Sequence, residues 1–122
     1  MGTALMLKTA LALLTVTALG GVLMAVNIFG RKTAPPHWLA MLHGLLAASA
    51  LTLLLYAFFT AGLPTLAAWG LLVFVIAAAG GAFLNLGYHM KGVALPKGIV
   101  VVHAVAAVAG YLLLLMAVLK LP

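Results

Sequence analysis

Four long apolar runs fill this chain almost end to end, at residues 4–29, 37–60, 65–88 and 98–119. Each is close to the roughly 20 residues that a helix needs to cross the hydrocarbon core of a bilayer. Inside a bilayer every backbone N–H and C=O must be bonded within the protein, and an α-helix does this without help from a neighbour. The breaks between the runs are short: GRKTAPP at 30–36, AGLP at 61–64 and HMKGVALPK at 89–97. Short connections make consecutive helices antiparallel neighbours. The expectation is an all-α integral membrane protein, a four-transmembrane-helix up-down-up-down bundle, with residues 1–122 as a single transmembrane domain. The first run is longer than the apolar core of a signal peptide, so it is expected to remain as a helix, with Lys8 near its start.

Composition narrows the chemistry. Hydrophobic residues make up 68% and charged residues 5%, against a charged fraction of roughly a quarter in soluble domains. The chain has no Asp or Glu, so its six Lys and Arg must face lipid phosphates, a partner or the acidic groups of a ligand. Carboxylate-dependent proton transport, carboxylate-bridged metals and carboxylate acid–base catalysis are all excluded. With no cysteine there is no disulfide, thiolate nucleophile or iron–sulfur cluster. Arg31, Lys32, Lys91 and Lys97 lie in the first and third breaks, whereas Lys8 and Lys120 belong to the opposite side. The positive-inside rule then puts loops 1–2 and 3–4 in the cytoplasm and both termini outside, with a bacterial inner membrane as the expected location.

The second and fourth runs share a pattern. PHWLAMLHGLLAASALTLLLY at 36–56 is followed sixty residues later by PKGIVVVHAVAAVAGYLLLLM at 96–116, and each copy has a histidine seven residues after its proline. At the same offset Gly20-Gly21 matches Gly80-Gly81, Arg31 matches Lys91, and His43 matches His103. Identity across the rest of the offset is sparse, so the match rests on these residues. They indicate two parallel two-helix repeats, about 4–60 and about 64–120, related by a pseudo-two-fold axis along the membrane normal.

The seven-residue spacing puts His43 and His103 about 10 Å along their helices, at one depth. The glycine pairs on the two other helices reach a similar level. Two helices then offer imidazoles and two offer surfaces without side chains, as a flat macrocycle with axial nitrogen ligands would require. In this the chain resembles the membrane-bound b-type cytochromes, the cytochrome b core of quinol-oxidising complexes and the cytochrome b561 group. The resemblance lies in the architecture and not in a continuous signature. It implies one low-spin haem b, with His43 and His103 as its metal ligands, Gly20, Gly21, Gly80 and Gly81 around it, and Arg31 and Lys91, with Lys32 and Lys97, near its propionates. It also implies electron exchange with a quinone or a redox subunit of a larger complex. Two-haem members carry a second histidine about four turns further along each ligand helix. Here those positions hold Tyr56 and Met116, so only one haem is implied.

Plainer readings stand beside this one. A histidine in an apolar helix can bond a neighbouring helix, and Gly-Gly can serve close helix packing. His37 and His89 lie at helix ends on one side and have no histidine counterpart in the repeat, which suggests a solvated interfacial role or a contact to propionate. Trp38, Trp69 and Tyr88 fit an aromatic belt. Asn27 and Asn85 are candidates for bonds between helices. A cofactor-free accessory subunit of a membrane complex is the main alternative function. Transport of a metal or proton is disfavoured by the missing carboxylates.

Overall fold

A computed structural model describes residues 2–122 as helices joined by short turns, with no strand among them. Helix α1 spans Thr3–Ala25 and runs on into a π-helical turn, Val26–Gly30. Helix α2 is His37–Thr60, α3 is Thr65–Gly87 with a 3₁₀ turn at His89–Lys91, and α4 is Lys97–Leu119. Helices α2, α3 and α4 each begin directly after a proline, Pro36, Pro64 and Pro96. A proline ring fixes φ and disfavours helix in the residue before it, so each proline sets where its helix starts.

All four helices, with their terminal turns, are long and apolar enough to cross a membrane. Large side chains such as Leu19, Phe59, Trp69 and Val102 are exposed. So much apolar surface would be costly in water, and lipid is the medium that suits it.

The largest cluster of buried residues lies in one half of the molecule. Leu7, Ala10 and Leu14 meet Ala50, Leu54, Ala67, Leu71, Phe74, Leu114 and Ala117, joining the first halves of α1 and α3 to the last halves of α2 and α4. Helices α3 and α4 approach closely here. A Cβ on Gly70 would lie 3.2 Å from the carbonyl oxygen of Gly110, and a Cβ on Gly110 would lie 3.0 Å from Phe74 Cδ1. Without a cohesive drive from water, membrane helices gain from this kind of backbone approach between small residues. The pairs α1–α2 and α3–α4 pack much more extensively than α2–α3 or α1–α4. A polar link crosses between α1 and α4: the Thr15 hydroxyl donates to the Leu11 carbonyl (2.8 Å), so the Tyr111 hydroxyl donates to Thr15 Oγ1 (2.8 Å).

Burial follows the sixty-residue offset. Leu7 and Ala67, Ala10 and Gly70, Leu14 and Phe74, Thr17 and Ala77, Ala50 and Gly110, Leu54 and Leu114, and Ala57 and Ala117 are each buried at both members. The same offset links the two loops on the basic side. Lys32 has φ +55° and Gly92 has φ +65°, a left-handed conformation that costs a residue bearing a Cβ roughly 1–2 kcal/mol.

Candidate cofactor-binding site at the paired histidines

His43 and His103 face each other. Their ring centroids are 6.2 Å apart, with the planes inclined at 68°. Each ring is tethered to the helix that precedes its own. His43 Nδ1–H donates to the carbonyl of Thr17 (2.9 Å), and His103 Nδ1–H donates to the carbonyl of Ala77 (2.7 Å). The two acceptors are again sixty residues apart. A carbonyl only accepts, so the proton of each neutral ring sits on Nδ1 and Nε2 keeps its lone pair. Neither Nε2 has a protein hydrogen bond among the described residues, and neither is a sealed, unsatisfied atom. Orienting a ligand imidazole by a bond from its other nitrogen is how proteins prepare histidine for a metal.

The glycine pairs explain how the rings reach those carbonyls. Gly21 is four residues after Thr17 and Gly81 four after Ala77, and in a helix the Cβ of such a residue projects back toward the carbonyl of the preceding turn. A Cβ on Gly21 would lie 3.3 Å from His43 Cε1, and one on Gly81 only 2.9 Å from His103 Cε1. On Gly20 and Gly80 a Cβ would make ordinary contact with the same two rings, at 3.8 and 3.9 Å. The surface without side chains is thus occupied first by imidazole, and the second glycine of each pair is the one with no room to spare.

The other expected residues divide. Arg31 is exposed and its guanidinium donates to Asn27 Oδ1 at 3.5 Å, while Lys91 is exposed on the 3₁₀ turn. Neither lines the cavity at this end of the molecule, where the cations are Lys32 and Lys97. Tyr56 and Met116, on the outer face beside buried Ala57 and Ala117, are both exposed.

His37 and His89 do meet, with ring centroids 4.5 Å apart. His89 departs from the expected solvated role, for it is only 6% exposed. Its Nε2–H donates to the Pro35 carbonyl (2.7 Å), and its Nδ1 lies 3.3 Å from the side-chain amide of Asn85. Through this bond to Pro35, His89 anchors the segment before α2 to the end of α3. Asn85 serves this anchor from one turn away, instead of bonding a second membrane helix. Among the described residues no three His, Cys, Asp or Glu gather into a metal-binding group, so a metal here would depend on the two facing imidazoles and on donors carried by a cofactor. Sequence reasoning missed the Thr17 and Ala77 carbonyls and the cavity position of Lys32. The signals that mark them are a glycine four residues downstream of each carbonyl, and a lysine sixty residues before Gly92. No family model matches this sequence, and no match was found among curated proteins or solved structures.

Proposed function

We propose that this chain is a membrane cytochrome b that holds one haem b between His43 and His103 and exchanges single electrons with a quinone or a partner redox subunit. The observation that carries this reading is the pair of imidazoles 6.2 Å apart, each fixed through Nδ1 and each with Nε2 unbonded. At that separation both Nε2 atoms would be able to hold one metal ion, given metal–nitrogen bonds of about 2 Å. When bound, the haem supplies reversible one-electron chemistry.

The residues of the chain have definable parts in this. The Thr17 and Ala77 carbonyls hold the tautomer that leaves Nε2 free and fix the orientation of each ring. Leu14, Leu54, Phe74 and Leu114 close the other half of the bundle against water. Arg31 and Lys91 supply positive charge at the histidine-bearing end, where a ligand's carboxylates would otherwise be costly to bury. The looser contact between the α1–α2 and α3–α4 pairs leaves the plane between them as the natural place for a flat ligand.

The finer architecture belongs to the same proposal. Two parallel hairpin repeats, 4–60 and 64–120, form an up-down-up-down bundle. The recurrence of buried positions, imidazole–carbonyl bonds and left-handed residues at one offset supports this. The basic loops face the cytoplasm of a bacterial inner membrane, on the balance of Lys and Arg.

A cofactor-free accessory subunit is the competing reading. An open groove on the outer face of α2, lined by Leu45, Ala48, Ser49, Thr52, Leu53 and Tyr56, favours it as a place for another subunit's helix. One experiment separates the two. The protein, purified in detergent from a haem-replete host, is expected to show low-spin haem b bands that sharpen with dithionite. His43→Ala and His103→Ala should each abolish them while the chain still inserts. A wild-type spectrum without haem bands would overturn the cytochrome reading.

A further inference from the structure

A cavity of about 400 Å³ opens between the segment after α1 and the segment before α4. Ile28, Val93 and Leu95 give it an apolar wall, and Lys32, Thr33 and Lys97, all exposed, line it as well. No side-chain carboxylate exists anywhere in the chain to neutralise these cations. His89 also borders the cavity, but its Nε2–H is given to Pro35. It is wall and not ligand.

Lys32 points to what the cavity holds. Its position requires a left-handed backbone, and the corresponding position in the second loop has Gly92, which adopts that conformation freely. Glycine at 32 would serve the backbone equally well, so the lysine accepts strain in order to keep an ammonium group beside the cavity. Lys97, the other cation of the lining, has its Nζ 5.9 Å from the centre of the Phe29 ring, a cation–π distance.

The cavity lies at the ends of apolar helices, where a bilayer presents its headgroups, and it combines two cations with an apolar wall. We infer that it binds the phosphate of an anionic phospholipid, with the phosphate between Lys32 and Lys97 and the glycerol and first methylenes against Ile28, Val93 and Leu95. Phosphate oxygens are strong acceptors for ammonium donors. A soluble phosphate would meet the same cations but leave the apolar wall unused. The inference does not rest on the assignment of His43 and His103.

The test compares chains reconstituted into vesicles of phosphatidylcholine with equal phosphatidylglycerol, then extracted into a neutral detergent and weighed by native mass spectrometry. Wild type is expected to retain one phosphatidylglycerol per chain. Lys32→Gly and Lys97→Gln should each reduce that retention several-fold, and Lys8→Gln, at the other end of the molecule, should not. Lys32→Gly relieves the backbone strain, and a thermal melt showing it no less stable than wild type excludes misfolding as the cause. Undiminished retention in Lys32→Gly, or equal loss in Lys8→Gln, would overturn the inference. Displacement of the lipid by inorganic phosphate at the same ionic strength as an ineffective chloride control would also overturn it, assigning the site to soluble phosphate.

Discussion

His103 leaves no space for a side chain on Gly81: a Cβ there would stand 2.9 Å from the ring's Cε1, closer than real Cβ contacts come. The equivalent approach of His43 to Gly21 is looser, at 3.3 Å. Gly81→Ala must therefore displace the imidazole or part α3 from α4, whereas Gly21→Ala needs a shift of only a few tenths of an ångström. Overpacking of this kind costs about 1–3 kcal/mol. Titrating haem into the purified variants should show a greater loss of affinity for Gly81→Ala than for Gly21→Ala, and almost none for Gly44→Ala, whose Cβ would meet open space. Equal affinities in all three would mean that the glycines are irrelevant to how the histidines are seated.

His89 should behave as a structural residue despite being a histidine close to another histidine. Replacing it with Phe removes the donor to Pro35 and leaves a carbonyl in a buried residue unpaired, which costs about 1–3 kcal/mol. The expected result is a lower melting temperature in detergent with the haem spectrum of the folded protein unchanged. A variant that melts like wild type but loses haem would instead make His89 part of the cofactor site.

The spans are legible in the sequence because prolines at 36, 64 and 96 mark where three apolar runs start as helices, and each break is too short for anything else. His43 and His103 are legible as a pair because depth follows from counting residues after those prolines. What these rings hold on to is not. Thr17 and Ala77 contribute carbonyl oxygens that any residue possesses, so the two positions share a role without sharing a side chain. The same holds for His89, whose main partner is the backbone of Pro35 across the fold, so a histidine at a helix end reads as solvated until that contact is seen. Among the four cations of the basic end, composition gives no reason to rank Lys32 above Arg31. The left-handed backbone does, and it is visible only in three dimensions.

The two halves of the bundle should respond oppositely to changes in side-chain volume. In the half away from the basic loops, Leu54 and Leu114, sixty residues apart, are fully buried, and truncating either to Ala leaves a cavity among packed neighbours. In soluble cores such a change costs about 2–5 kcal/mol, and in lipid, where only packing is lost, the low end of that range is the better expectation. Ala47 and Ala107 lie one turn beyond His43 and His103 on the same helix faces and are only half-buried. They are small where the proposed ligand would rest beside the imidazoles. Ala47→Leu and Ala107→Leu should therefore leave the chain as stable as wild type when no haem is bound, or slightly more so. They should lower haem affinity by an order of magnitude or more, which is about 1.4 kcal/mol or more. Leu54→Ala and Leu114→Ala should lower the melting temperature while the haem bands of the surviving folded protein keep their positions. The measurement is a melt of each variant with and without haem, alongside the titration. If the alanine-to-leucine variants bind haem as wild type does while the leucine-to-alanine variants release it, the cofactor belongs in the closed half, and the placement between His43 and His103 is wrong.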